Sequence, residues 1–227
     1  MTSVTRGIIA VAFATTALSV PAGAARAATT PSANVPATTV TVTTQSAIVS
    51  CVARPTSAYF ARWGDINQYF LAPGGEFQVA GTHPWSGSGG AATVAGGDPW
   101  DVTGAAHPSA ANIPPGGTEK SPSFCVTPNE NTLRFFYHSP GVPGSVLKVT
   151  INATSGLGVA STTAAISGST PAWGVTNVVK LPAIYDPSGQ EYVTITFSTA
   201  NAPGSWQVDN VMVDPFTPLW IGQTVTL

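Results

Sequence analysis

Proline and glycine divide this 227-residue chain into short runs of apolar and alternating sequence. The 20 prolines and 23 glycines fall mostly between these runs, at spacings typical of turns. No segment keeps the 3.6-residue apolar period of a helix, whereas several runs alternate with the two-residue period of a strand. Short strands bounded by turns indicate an all-β fold, an antiparallel β-sandwich in one domain. The predicted strands are Asn67–Leu71, Glu76–Val79, Ala91–Ala95, Ser123–Val126, Leu133–His138, Val146–Ala153, Val175–Leu181, Tyr192–Ser198 and Trp206–Val213.

Alternation within three of these runs predicts which side chains face the core. The inward set comprises Leu133, Phe135, Tyr137, Leu147, Val149, Ile151, Val193, Ile195 and Phe197. The outward set includes Arg134, Phe136, His138 and Tyr192. Aromatic rings flanked by polar groups suit a sugar, but they can also pack under a loop. Packing is the favoured interpretation, because scattered exposed aromatic residues are ordinary.

The run Gly204–Pro215 predicts a long strand that is buried on both faces, because apolar residues occupy both phases of the alternation. Asp209 and Asn210 place a carboxylate and an amide in its middle. Polar groups inside an apolar strand must be satisfied by hydrogen bonds or by a cation. We therefore expect this pair either to hydrogen-bond backbone groups or to take part in a calcium site.

The first 27 residues have the three-part layout of a secretory signal peptide. Arg6 precedes an uncharged apolar stretch, and Ala25-Arg26-Ala27 fits the small-residue cleavage rule, with Ala22-Gly23-Ala24 as a second candidate. A membrane span needs about 20 apolar residues, and this stretch is shorter. We expect a secreted, extracellular protein with no membrane anchor evident. Residues 28–50 then form an Ala/Thr/Pro-rich linker, and residues 51–227 form the sandwich domain with a short C-terminal tail.

Charged side chains make up 8% of the chain, whereas about 25% is usual. The sequence has no basic patch, which argues against nucleic-acid binding. Two cysteines in an exported chain predict one disulfide, Cys51–Cys125, with two free thiols as the alternative. A zinc or redox role is not indicated, because the sequence has no Cys-x-x-Cys pair.

Short motifs are spread between residues 74 and 211 of the chain. They are Gly74-Gly75-Glu76-Phe77-Gln78, Trp85, Gly90-Ala91-Ala92, Ser121-Pro122 and Trp206-Gln207-Val208-Asp209-Asn210-Val211. Together they resemble the galactose-binding-like superfamily, whose carbohydrate-binding modules are jelly rolls that hold a structural calcium ion. In those modules an opening Gly-x-Phe-Glu strand lies beside a closing strand with two Asp residues, and the resemblance also implies core positions for Trp85, Trp173 and Trp206.

For this chain the resemblance implies a calcium site at Glu76, Gln78 and Asp209, with strands Glu76–Val79 and Trp206–Val213 side by side. Gln78 stands where the superfamily has Glu, and Asn210 replaces its second Asp. Both changes remove negative charge, which calcium prefers among its ligands. We therefore expect calcium binding to be weak or absent.

A second set of motifs is similar to uncharacterised bacterial secreted proteins. The motifs are Trp63-Gly64-Asp65, Tyr69-x-Leu71-Ala72-Pro73-Gly74-Gly75 and Phe124-Cys125. This resemblance extends from about Cys51 to Pro215, and it implies a fold rather than a function.

Trp100 lies on a predicted loop, in Gly97-Asp98-Pro99-Trp100-Asp101. The face of an indole ring accepts sugar C–H groups, and a carboxylate accepts hydroxyl hydrogens. Trp100 with Asp98 and Asp101 is therefore the first candidate for ligand binding, and Trp63 and Tyr185 are further candidates. The alternative is that Trp100 plugs the end of the sandwich.

The sequence lacks the His-Glu-x-x-His and Gly-x-Ser-x-Gly motifs, and we predict no catalytic residue. A neutral, polar, exported sandwich indicates weak, non-catalytic binding of an extracellular or cell-wall polysaccharide. The alternative is a structural cell-envelope or surface protein without a small ligand. A small glycosidase or lyase is a third class, which would require two carboxyl groups facing one cleft. The sequence leaves the oligomeric state open.

Overall fold

The computed structural model describes residues 51, 53–78, 84–104, 108–168, 170–199 and 203–215. The chain divides into two units, Met1–Ser46 and Ala47–Leu227, and all described residues belong to the second unit. The leader and linker predicted for residues 1–50 lie outside the described residues. In the part that is described, no helix is long and apolar enough to cross a membrane.

Strands make up most of the regular structure, together with one short 3-10 helix. In chain order the described elements are the 3-10 helix Ala61–Trp63, β1 Phe70–Leu71, β2 Ser86–Ser88, β3 Ala92–Ala95, β4 Ser109–Ile113, β5 Thr118–Lys120, β6 Phe124–Val126, β7 Glu130–His138, β8 Val146–Ser155, β9 Gly158–Ser167, β10 Trp173–Val175, β11 Val179–Lys180, β12 Glu191–Ser198 and β13 Trp206–Pro215.

The strands form two antiparallel sheets. The seven-stranded sheet has the order β10-β7-β13-β4-β3, with β1 also pairing to β13 and β11 also pairing to β7. The six-stranded sheet has the order β2-β5-β12-β8-β9, with β6 also pairing to β12. Non-consecutive strands lie side by side in both sheets, and the predicted antiparallel sandwich of jelly-roll type is confirmed.

The main core lies between the two sheets, and the alternation in the sequence predicted its lining. Eight of the nine predicted inward residues of β7, β8 and β12 are fully buried there, and the ninth, Tyr137, is partly buried against the same core. The eight are Leu133, Phe135, Leu147, Val149, Ile151, Val193, Ile195 and Phe197. Trp85 stacks on Phe197 with ring centroids 5.7 Å apart, and Trp206 is also buried in this core. Trp173 differs from the expectation, because it lies on the outer face of the seven-stranded sheet and is only partly buried.

The segment beside β13 differs from the predicted strand Glu76–Val79. Pro73–Glu76 forms a turn, and Phe77 has a φ of 50°, so the described part of this segment is not a strand. The strand from this region that pairs with β13 is β1, in which Phe70 lies opposite Val213. Two backbone bonds extend the contact: the Ala72 N–H donates to the Val211 carbonyl at 2.8 Å, and the Val211 N–H donates to the Gly75 carbonyl at 3.0 Å.

The predicted disulfide joins Cys51 to Cys125, with the two Cα atoms 5.3 Å apart. This separation falls in the usual range for a disulfide. Cys125 lies on β6, and its carbonyl also accepts a hydrogen bond of 2.7 Å from the Arg54 guanidinium. The bridge therefore fastens the start of the described chain to the six-stranded sheet.

Candidate functional site

A second group of aromatic and apolar side chains covers the outer face of the seven-stranded sheet; we call it the outer cluster. Its buried members are Phe60, Tyr69, Phe136 and Met212, and its partly buried members are Tyr59, Trp63, Leu71, Trp100, Val102, Trp173 and Val175. Strand alternation explains its base, since Phe136 on β7 and Met212 on β13 point away from the main core. The favoured interpretation of Phe136 as packed under a loop agrees with its full burial.

Three rings meet at the centre of the outer cluster. The rings of Trp63 and Trp100 lie edge to face, with centroids 5.1 Å apart. Each also contacts Phe136, at centroid distances of 5.2 Å for Trp63 and 5.1 Å for Trp100. The edge-to-face contact between the indoles and their tilted contacts with the buried Phe136 ring restrain both indoles, while their partial exposure leaves ring surface open to solvent.

The segment that carries Trp63 is fastened to the sheet by charged groups. The Arg134 guanidinium of β7 forms an ion pair with Asp65, with Nη1 and Oδ2 2.6 Å apart. The Tyr69 hydroxyl donates a 2.7 Å hydrogen bond to the same Asp65 oxygen, and the Arg134 guanidinium lies 4.6 Å above the Phe60 ring. Burial alone would raise the pKa of Asp65, but the hydrogen bonds from Tyr69 and Arg134 lower it below its usual value.

The loop that carries Trp100 is fastened to β13 by a buried pair of carboxyl groups. Asp98 and Asp209 are 3% and 0% exposed. The Asp98 N–H donates to Asp209 Oδ2 at 3.0 Å, and the Asn210 amide donates to Asp98 Oδ2 at 2.5 Å. The other Asp98 oxygen, Oδ1, accepts the backbone N–H of Trp100 at 2.9 Å. These contacts set the position of the Trp100 backbone relative to the sheet.

Asp209 and Asn210 lie where the register of β13 against β7 shifts, between Asp209 and Met212. Asn210 has a φ of 47°, and its N–H donates to Asp209 Oδ1 at 2.8 Å. Burial, together with the nearby charge of Asp98, raises the pKa of Asp209 to about 8. Asp209 thus accepts hydrogen bonds from backbone groups, as expected, whereas the Asn210 side chain bonds to the Asp98 carboxyl group.

Polar and charged groups surround the outer cluster. The Arg62 guanidinium lies 5.1 Å from the Trp63 ring centroid, and Asp101 is exposed beside Trp100 with a φ of 46°. At the far side, the His138 and Trp173 rings meet edge to face at 5.7 Å. The site therefore combines partly exposed indole rings with hydrogen-bonding groups at its margin.

The structure brings four of the five predicted ligand-binding residues together. The Trp63 and Trp100 rings are in contact, and Asp98 accepts a hydrogen bond from the Trp100 backbone N–H. Asp101 is the residue after Trp100 in the same loop. Tyr185 lies apart from them, because it packs against the main core. Burial raises the pKa of its hydroxyl to about 12, and this hydroxyl has no hydrogen-bond partner among the described residues.

Two features of this site were not predicted from the sequence. One is Trp173, which joins the outer cluster; the other is the anchoring of Asp65 by Arg134 across 69 residues. The tripeptide Trp63-Gly64-Asp65 was a usable signal for the second feature, because it places an acid two residues after a candidate ring. No local pattern identifies Arg134 as its partner.

Gln78 and Asp209, two of the three residues predicted to hold calcium, make other hydrogen bonds in the structure. The described part of the chain has no group of three or more His, Cys, Asp or Glu side chains that could hold a metal ion. Both oxygens of Asp209 already accept backbone N–H groups, from Asp98 and Asn210. Gln78 donates a 2.5 Å hydrogen bond to the Glu76 carbonyl, and Glu76 Oε2 is buried without a hydrogen-bond partner in the described residues. Calcium ordinarily takes six to eight oxygen ligands, so the single free oxygen of Glu76 does not by itself make a calcium site.

A separate cleft lies between β9 of the six-stranded sheet and the β7, β10 and β11 region of the seven-stranded sheet. It has a volume of about 370 Å³ and is lined by Tyr137, residues 164–167 and residues 175–179. None of its lining side chains is a carboxylate. It therefore lacks the two carboxyl groups that a glycosidase would need in one cleft.

No protein-family model matches the chain, and no curated protein matches it. Among solved structures, the arabinose-bound MgGH51 α-L-arabinofuranosidase is 17% identical, with a TM-score of 0.45; the match covers 63% of this chain and 26% of that one. This chain therefore matches about a quarter of that protein's length.

Two further structures are matched over nearly their whole length. TmCBM61, solved in complex with β-1,4-galactotriose, is 17% identical with a TM-score of 0.35, and the match covers 62% of this chain and 93% of that one. The K1 cleaved adhesin domain of Lys-gingipain from Porphyromonas gingivalis W83 is 16% identical with a TM-score of 0.39, covering 64% and 97%. Similarities of this size do not assign a function.

Proposed function

We propose that this protein is a secreted, non-catalytic binding protein that recognises a neutral extracellular or cell-wall polysaccharide on the outer cluster. The observation that carries the proposal is the gathering of three partly exposed tryptophans, Trp63, Trp100 and Trp173, on one face of one sheet. Large aromatic rings left partly open to solvent on a folded surface are typical of binding sites.

The chemistry of the site favours a neutral, hydroxyl-bearing ligand. Indole faces offer contact area to the C–H groups of a sugar ring, and Arg62 and Asp101 at the margin can hydrogen-bond its hydroxyl groups. The chain as a whole carries a formal charge of only −2, so long-range attraction to a charged polymer is small.

The support beneath the rings makes the site rigid before a ligand arrives. Trp63 and Trp100 rest on the buried Phe136 ring, and Asp98 fixes the backbone of Trp100. A pre-organised surface loses little entropy when it binds. Stacking and a few hydrogen bonds then give dissociation constants on the order of micromolar to millimolar for short oligosaccharides.

Affinity electrophoresis in gels that contain one neutral polysaccharide each tests this proposal. We expect at least one polysaccharide to retard the parent protein, and Trp100→Ala or Trp63→Ala to abolish the retardation. Tyr192→Ala is the matched control, because Tyr192 is 40% exposed but lies on β12 in the other sheet. This variant should be retarded like the parent.

Thermal melting of the same variants separates binding from packing. Trp100→Ala should keep a cooperative transition close to that of the parent, because the ring is only partly buried. An unfolded Trp100→Ala protein would show that the ring is a structural plug. If no polysaccharide retards the parent, the proposal is wrong and a structural surface protein becomes the better interpretation.

A further inference from the structure

The outer edge of β9 has no strand beside it in the described part of the chain. β9 pairs with β8 over its full length, from Val146 opposite Ser167 to Ser155 opposite Gly158. It is the terminal strand of its sheet, and no backbone hydrogen bond among the described residues reaches its other side. Alternate residues of β9 therefore direct N–H and C=O groups away from the sandwich.

This edge lacks the features that usually prevent strands from pairing. The sequence of β9, Gly158–Ser167, contains no charged residue and no proline, and its register against β8 is unbroken by a bulge. Natural sheets protect exposed edges with lysine, proline, bulges or very short strands. The terminal strands at the other ends of the two sheets are short: β2, β3 and β10 have 3, 4 and 3 residues. β9, in contrast, has 10 residues.

Apolar groups lie exposed at both ends of this edge. At its beginning, Leu157 in the preceding turn is 66% exposed and Val159 is 70% exposed. At its end, residues 164–167 line the cleft of about 370 Å³, whose opposite wall includes Val178 at 48% exposure. Both ends of this edge therefore expose apolar groups to solvent.

We propose that a second copy of this chain pairs with β9 edge to edge, antiparallel about a twofold axis. Antiparallel pairing places the Leu157–Val159 end of each copy against the cleft end of the other. The contact is then self-complementary and occurs twice, as a twofold interface requires. Because β9 carries no charge, no like charges are brought into opposition along the paired strands.

The product is a dimer in which two six-stranded sheets join through their β9 edges into one sheet. The outer clusters lie on the seven-stranded sheets and take no part in the contact. An edge-to-edge strand contact is smaller than a standard stable interface, so association should become measurable at protein concentrations on the order of 100 µM.

Sedimentation velocity across a concentration series tests the proposal on the parent protein and two lysine variants. Thr163→Lys places a charge near the middle of the β9 edge, where the twofold axis brings two copies together. Thr154→Lys is the matched control, because Thr154 is exposed on β8, one strand inward. We expect a concentration-dependent dimer for the parent and the control, and at least a tenfold weaker association for Thr163→Lys.

A second edge variant, Val159→Lys, should weaken association in the same way, and circular dichroism should show that both edge variants remain folded. If Thr163→Lys unfolds the protein, Val159→Lys carries the test. A parent that stays monomeric up to 1 mM, on the order of ten times the expected concentration, would overturn the proposal. So would a dimer that both edge variants leave unchanged, or an open series of higher oligomers.

Discussion

Replacing Glu119 by glutamine should change how the stability of this protein depends on pH. Glu119 lies on β5 opposite Phe197 of β12 and Gly87 of β2, and it is 1% exposed. Neither of its carboxyl oxygens has a hydrogen-bond partner among the described residues. Burial raises its pKa from the ordinary value of 4.5 to about 7. The folded protein therefore keeps this group protonated at pH values where the unfolded chain ionises it.

The size of the effect follows from the difference in proton affinity between the two states. Between about pH 4.5 and pH 7 the folded state binds more protons than the unfolded state, so the free energy of unfolding falls as the pH rises. Each tenfold difference in proton affinity corresponds to about 1.4 kcal/mol, which gives a total loss of about 3 kcal/mol by pH 8. Glu119→Gln cannot ionise and should not lose this stability.

Urea unfolding from pH 4 to pH 8.5 measures the difference. The parent contains other buried acids with a raised pKa, among them Asp214 at about 6, so its own curve reports several groups. Subtracting the parent curve from the Glu119→Gln curve isolates Glu119. The variant should gain about 3 kcal/mol on the parent between pH 4 and pH 8. If the substitution also alters packing, it shifts the free energy of unfolding of the variant by the same amount at every pH. The pH-dependent gain is then unchanged.

Glu119→Ala provides the control for packing. It should be less stable than the parent at pH 4 because it leaves a cavity, yet its difference curve should rise by the same amount. A difference curve that stays flat for both variants would refute the argument. It would mean that the Glu119 carboxyl ionises at its ordinary pH in the folded protein.

Two further predictions concern stability. Cys51→Ser removes the disulfide to Cys125, which closes a loop over a sequence separation of 74 residues. The substitution should lower the free energy of unfolding by about 4 kcal/mol. An unchanged urea midpoint, measured without reductant, would contradict this. Phe136→Ala removes the buried ring that contacts Trp63 and Trp100. It should lower the free energy of unfolding by about 3–5 kcal/mol, measured by thermal melting. A loss below about 1 kcal/mol would show that the outer cluster does not depend on the Phe136 ring.

The sequence predicted strands well where aliphatic and aromatic residues alternate. The core faces of β7, β8 and β12 follow from that pattern, because a buried face must be apolar at every second position. β9 was missed although it has 10 residues. Its alanine, serine and threonine side chains carry little apolar contrast, and its position is set by pairing with β8 rather than by its own pattern.

The predicted strand Glu76–Val79 was wrong for the residues that the structure describes. Phe77 alternates with polar neighbours as a strand residue would, yet its backbone adopts a φ of 50° and its ring packs 5.1 Å from Trp85. Burial of that ring outweighs the local preference for an extended backbone. A resemblance built on short motifs transfers residue types more reliably than backbone conformations.

Two of the three partly exposed indole rings of the candidate site were predicted, but the contacts that support them were not. Trp63 and Trp100 could be selected because they lie in polar, turn-rich sequence. The contact of Asp98 with Asp209 spans 111 residues, and the ion pair of Asp65 with Arg134 spans 69. Such contacts depend on which strands become neighbours, and a single sequence does not contain that information in any local pattern.

The position of β13 has a consequence for how this protein is made in the cell. β13 is the last strand of the described chain, yet it lies in the middle of its sheet, hydrogen-bonded to β1, β4 and β7. Until Trp206–Pro215 has left the ribosome, β4 and β7 have no strand between them, and Phe135 and Phe136 have no complete core to enter. The seven-stranded sheet therefore cannot be completed before β13 has been synthesised. Until then the nascent chain exposes unpaired strand edges and apolar surface, which make an incompletely folded chain prone to aggregate.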